Sequence, residues 1–198
     1  MNKLAVIALV LLVLASFLPW FVAEGSTPNS NGYVKLALNP FTMLWWSTHA
    51  SPKSPLSRFY AMVDWLSEQS YFPTTSRAKI GLSRTSFLLA ALLHFVGLLL
   101  IVWGGIVGSK VRLGAALGCI AASLLFFVMG TLVMDLPLHT ERIINMSSSS
   151  PIWIRWHLEY GIWVEILAFI ICLVALAVQI LEESRRRHPI YRVIGDRF

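Results

Sequence analysis

Charge is the scarcest commodity in this 198-residue chain. Only 13% of its residues are Asp, Glu, Lys or Arg, about half the share of an average soluble domain. Cysteine is almost absent: Cys119 and Cys172 are the only two. Both fall in apolar runs, so no disulfide framework is expected to hold the polar segments. The chain has no His-Glu-x-x-His or Cys-x-x-Cys spacing, no Gly-x-Ser-x-Gly elbow and no phosphate-binding glycine loop. It also has no internal repeat of the kind that builds inverted-half transporters. No metal and no cofactor are therefore expected.

What is present is apolar surface. Hydrophobic residues make up 57% of the chain and the mean hydropathy is +0.69. A soluble domain of this size cannot hide that much, because most of its residues must touch water. The composition excludes a disordered chain, a fibrous repeat and an ordinary soluble domain. It implies an all-α integral membrane protein.

Four runs approach the ~20 apolar residues that cross a ~30 Å hydrocarbon core in a helix. They predict spans at 4–23, 86–107, 113–134 and 161–181, forming a four-helix bundle. Outer loops then cover 24–85 and 135–160, and a basic tail covers 182–198. A cleaved signal peptide is the alternative for the first run. That run is longer than a usual apolar signal core, and Phe21 stands where a small residue should precede a cut after Ala23. An uncleaved anchor is the expectation.

Basic residues set the expected orientation. Lys3, Lys110, Arg112, Arg185, Arg186, Arg187, Arg192 and Arg197 share one side of a four-span chain. Both termini are expected in the cytoplasm and both larger loops outside, in a multi-pass protein of the cell membrane. Arg185, Arg186 and Arg187 suit anionic lipid headgroups. Because the basic residues divide between the two faces, nucleic acid is not an expected partner. The expected partners are the lipid bilayer and other membrane subunits or further copies of this chain.

The first outer loop opens with turn chemistry from Gly25 to Gly32, and then weak alternation at 33–38 marks a short β element. An aromatic cluster follows at 41–46, where Trp45 and Trp46 suit either a headgroup belt or a partner surface. A short amphipathic helix is predicted from Pro55 to about Ser70, capped by Ser54, and it contains Trp65. In the second loop, Trp153 and Trp156 sit in an amphipathic lead into the fourth span. Asn145 heads the only glycosylation sequon.

Within the spans, Gly104 and Gly108 stand four apart, as do Gly114 and Gly118. Small residues let helices approach closely in lipid. These glycines predict tight packing where the second and third spans join, with the outer ends splayed. A homodimer face is their alternative use.

Ionisable groups inside a membrane carry a functional hypothesis by default. His94 and Glu165 both fall in the outer halves of their spans and can pair. Such a pair can be a structural tie, or it can relay a proton or bind a quinone head group. His94 with His157 is the one conceivable haem ligand pair.

The layout of four spans, a long first outer loop and a shorter second is similar in outline to the claudin superfamily. Trp45-Trp46 stands where that family carries a Gly-Leu-Trp element, and the family's paired loop cysteines are absent here. The resemblance is one of topology, and it implies adhesion or barrier formation through the first outer loop as one function class. The other classes are a non-catalytic subunit of a larger membrane assembly and a redox subunit using His94 and Glu165. The accessory subunit is the leading expectation.

Overall fold

The fold is that of a computed structural model. It describes residues 3–27, 32–49, 51–68, 77–107, 109–133, 139–144 and 152–187. In order these form α1 (Lys3–Phe17), β1 (Phe21–Thr27), β2 (Gly32–Leu38), α2 (Pro40–Thr48) and α3 (Pro55–Glu68). They continue with α4 (Arg77–Val107), α5 (Lys110–Leu132), β3 (His139–Ile144), β4 (Ile152–Leu158) and α6 (Tyr160–Arg187).

Three helices are long and apolar enough to cross a membrane, over 78–104, 110–132 and 160–185. The first predicted span differs. Its helix stops at Phe17, so α1 has 15 residues and is about 22 Å long at ~1.5 Å per residue. The cause is Pro19, which has no amide hydrogen and disfavours a helical Leu18 before it. The exposed carbonyls at this end find other donors. Trp20 Nε1 donates to Ala15 O at 2.9 Å and Asn39 Nδ2 to Phe17 O at 3.2 Å. The rest of the predicted span, 21–23, is the start of β1.

The other boundaries also move. The helix expected at 86–107 begins nine residues earlier, at Arg77, and those at 113–134 and 161–181 become 110–132 and 160–187. The aromatic run 41–46 is helical, because Asn39 and Thr42 form a reciprocal cap around Pro40. The helix expected from Pro55 is present, with Ser54 Oγ accepting from Ser57 N at 3.2 Å.

An all-α fold is corrected by a four-stranded antiparallel sheet of order β2-β1-β4-β3. The residues 152–156, expected to be an amphipathic lead, belong to β4. One sheet face carries Phe21, Ala23, Val34, Leu36, Leu38 and Trp156, all buried. It packs on α3, where Phe59 meets Phe21 edge-on at 6.5 Å. The sheet thus joins both predicted outer loops in one cap.

Below the cap, α1, α4, α5 and α6 pack in a ring, each against the next. Their outward faces carry Leu99, Trp103, Leu125, Trp163, Leu173 and Leu181, each at least half exposed. An apolar girdle of this extent has lipid as its natural solvent.

Glycines set the closest approaches. A Cβ on Gly104 would lie 3.1 Å from Arg112 and 3.2 Å from the Leu113 nitrogen. Gly114 sits at ordinary distance from Leu176, while a Cβ on Gly118 would meet nothing within 4 Å. Gly118 points outward because it lies one helical step off the face that carries Leu113, Ala116 and Ile120. The sheet-proximal ends are not splayed either. A Cβ on Gly130 would lie 2.7 Å from the Phe87 ring, and one on Gly161 2.5 Å from Leu18 O. Gly161 N also donates to Pro19 O at 2.9 Å, so α6 starts directly on the exit of α1. Gly108 lies outside the described residues.

Candidate functional site

The buried residues divide into two apolar clusters. One gathers Trp20, Ala90, Ala91, Phe127 and Ile162 beneath the sheet. The other gathers Leu12, Ile101, Leu113, Ile120, Ala168 and Cys172 toward the opposite end. Between them, in chain position on three helices, lie Ser16, His94 and Glu165. All three are buried, and His94 and Glu165 have no solvent exposure at all.

These side chains form a continuous hydrogen-bonded chain. Ser16 Oγ lies 2.7 Å from His94 Nε2. His94 Nδ1 lies 3.0 Å from Glu165 Oε1. Ser16 Oγ is also 2.9 Å from Leu12 O, to which it can only donate. A hydroxyl has one proton. When it goes to Leu12 O, the serine accepts from the Nε2 hydrogen of His94. The carboxyl then either donates its own proton to Nδ1 or faces an imidazolium as a carboxylate. Both arrangements are neutral over the set, as burial in lipid requires. Among the described residues, Glu165 Oε2 has no hydrogen-bond partner.

Each partner is placed by its own element. Ser16 repeats the spacing of Ala5, Ala8 and Leu12 on the buried face of α1. His94 sits one turn below Ala90 and Ala91, the small residues that let α5 approach. There Ser123 Oγ donates to Ala90 O at 2.8 Å. Glu165 follows Ile162 by three residues and precedes Ala168 by three, so it shares their inward face. α4 and α6 are not neighbours around the ring, so the His94 to Glu165 bond crosses the middle of the bundle. Aromatic rings close the site from above and beside: Trp20 meets the His94 ring edge-on at 5.7 Å, as does Phe95 at 5.3 Å.

The connectivity of serine hydroxyl, imidazole and carboxyl matches that of a nucleophilic triad. The surroundings do not. Attack needs a reachable hydroxyl and donors for an oxyanion, whereas Ser16 is sealed and already bonded to Leu12 O. Among the described residues, no group of three metal-binding side chains occurs. His157, the second haem candidate, sits on β4 and bonds Glu159 at 2.6 Å. It is not brought to His94.

The aromatic candidates separate. Trp45 is 61% exposed and stacks on His49 at 4.0 Å. It sits on the outward side of α2, beside Phe41, which touches Phe17 and Phe95 at 5.1 and 5.0 Å. Trp46 packs partly against the core under the sheet. Trp156 is fully buried opposite Ala23, so it belongs to the core and not to a partner surface. Arg185 is exposed at the end of α6. Asn145 lies outside the described residues, as do the side chains of Trp65, Trp153, Arg186 and Arg187.

Two further polar ties were not anticipated from the sequence. Tyr60 OH lies 3.1 Å from Ser83 Oγ, which donates to Gly130 O at 2.7 Å. Arg84 holds Ser47 O through Nε and Nη2 at 2.9 and 2.6 Å. Together they pin α3 and α2 to the top of α4. Desolvation by burial pushes the Tyr60 phenol up to about 12.

Comparison with protein-family models and with curated proteins finds no match to this chain.

Proposed function

We propose that this chain is a non-catalytic, multi-pass membrane protein that serves as a structural or accessory subunit of a larger membrane assembly. The observation that carries the reading is the complete burial of His94 and Glu165, bonded to each other. A group that exchanges protons with substrate must reach it. A group that ties three helices together need only reach its partners. In lipid the hydrophobic effect does not hold helices together, so such polar ties take that role.

In this reading both termini and the Ser109 link face the cytoplasm, and the sheet with α2 and α3 lies outside. Lys3, Lys110, Arg112 and Arg185 support that orientation through the bias of basic residues. Partner subunits would meet the exposed helix faces and the outer cap. Adhesion or barrier formation is the second reading. It is favoured by the sheet, which draws both outer loops into one folded platform.

The test is purification in mild detergent with identification of every copurifying protein. A stoichiometric membrane partner supports the first reading. A visible absorption band or a bound quinone would replace it with the redox class.

A further inference from the structure

In the pairing registers one row of charged residues crosses the sheet from strand to strand. The pairing registers set Lys35 of β2 opposite Glu24 of β1, Glu24 opposite Arg155 of β4, and Arg155 opposite Glu141 of β3. The signs alternate from edge to edge. Opposite charges directly across antiparallel strands stabilise the pairing, and like charges destabilise it. Four strands are an even number, so the row ends in unlike charges: Lys35 at one edge, Glu141 at the other.

Among the described residues, both edges pair on one side only in the order β2-β1-β4-β3. An unpaired edge is a template for another strand. Lys35 is exposed. Near the foot of β2, Thr42 Oγ1 of α2 donates to Ala37 O at 3.1 Å, which leaves 32–36 for pairing. That segment matches five of the six residues of β3.

The membrane restricts which copies can meet. β1 follows α1 after three residues and α6 follows β4 after one, so strand direction is tied to helix direction. Copies in one bilayer stand the same way up. A half-turn about the membrane normal would bring like edges together as parallel strands and turn the core faces of the two sheets to opposite sides, so it cannot continue one sheet over one core. A sideways shift instead brings β3 of one copy beside β2 of the next. β1 and β3 run one way and β2 and β4 the other, so this new pair is antiparallel. Glu141 then falls opposite Lys35 in the same row of the register. The backbone agrees: hydrogen-bonded and non-bonded positions alternate from one side of a strand to the other. After four strands the outward sides of Glu141 and Lys35 are of the same kind.

We infer that copies of this chain associate side by side in one membrane, β3 of one against β2 of the next, with Glu141 opposite Lys35. The inference rests on the membrane-assembly reading above and names the partner as a second copy. The contact is head-to-tail, so a straight shift extends it into rows and does not close it as a dimer.

The test is disulfide trapping in native membranes. Within one chain, positions 35 and 141 are three strand spacings apart, roughly 14 Å, beyond the reach of a disulfide. The double variant K35C/E141C should give a ladder of dimers, trimers and longer species on mild oxidation. Each single variant should stay monomeric, and the two singles expressed together should stop at a dimer. Dimers from either single variant would establish a two-fold contact and overturn the proposal. So would the absence of interchain product from a double variant that melts like the unaltered protein. If the variants do not fold, the unaltered chain is treated with a zero-length carbodiimide, which joins amines to carboxyls. A peptide linking Lys35 to Glu141 in the dimer band is then expected, and a dimer band without it overturns the inference. A different stoichiometric partner with no self-linked product overturns it while leaving the assembly reading intact. A lone monomer overturns both.

Discussion

Ser16 Oγ and His94 Nε2 lie 2.7 Å apart although 78 residues separate them in the chain. Their bond joins the short helix α1 to the middle of α4, and through His94 Nδ1 to Glu165 on α6.

Removing the hydroxyl isolates this joint. Ser16→Ala leaves the Nε2 hydrogen of His94 buried without an acceptor, at a cost of about 1–3 kcal/mol. Thermal melting in detergent should register the loss. A melting point equal to the unaltered protein's would show that His94 bonds elsewhere.

Glu165 separates structure from chemistry. Glu165→Gln keeps the shape and supplies an amide donor to His94 Nδ1, so it should cost only about 1 kcal/mol. His94→Ala leaves the carboxyl alone among apolar side chains and should cost about 3–5 kcal/mol. The parent assembly should remain active with Glu165→Gln. A folded but inactive assembly would assign proton transfer to this carboxyl.

The glycines make a paired prediction. Gly161→Ala places a methyl group 2.5 Å from Leu18 O and 2.7 Å from Pro19 O. Neither is a flexible side-chain end, so α6 must shift, at a cost of a few kcal/mol. Gly118→Ala meets open space within the chain and should leave thermal stability unchanged. Equal melting points for the two variants would contradict the seat of α6 on α1.

Tyr60 makes alkaline stability falsifiable. Its folded value of about 12 lies above its ordinary 10.0, so folding favours the protonated phenol. That contribution is complete below pH 10 and declines as pH rises toward 12. Tyr60→Phe should flatten this decline while losing the bond to Ser83. Identical alkaline unfolding curves for variant and parent would show that Tyr60 titrates normally.

Orientation is read from the surface. Cysteines placed at Lys53, beside α3, and at Ser184, at the far end of α6, should differ toward an impermeant thiol reagent. In intact cells Lys53→Cys should react and Ser184→Cys should not. The reverse pattern would invert the protein.

The long apolar runs of α4, α5 and α6 were legible because ~20 unbroken apolar residues admit few alternatives. The α3 cap was legible for local reasons, since Ser54 and Pro55 act within one turn. The end of α1 at Phe17 was written in Pro19, but the apolar residues 21–23 disguised the change to strand. Such short runs read equally as helix or buried strand. The sheet was least legible, because β1 pairs with β4 across more than a hundred residues and no local pattern encodes that. His94 and Glu165 stood out by their charge type. Ser16 did not, since a serine in an apolar helix usually bonds its own backbone, as this one also does. The signal was its spacing from Ala8 and Leu12 on one face.

The position of Ser16, His94 and Glu165 between two apolar clusters has a mechanical meaning. Leucine and alanine faces tolerate sliding, because one methyl group replaces another at little cost. Hydrogen bonds do not, since they weaken within a few tenths of an ångström of their preferred length. Moving α1 by a single residue along its axis, about 1.5 Å, would break its bond to His94 without offering a substitute. The polar layer therefore fixes the height and rotation of the helices, and with them the level at which the sheet stands above the bundle.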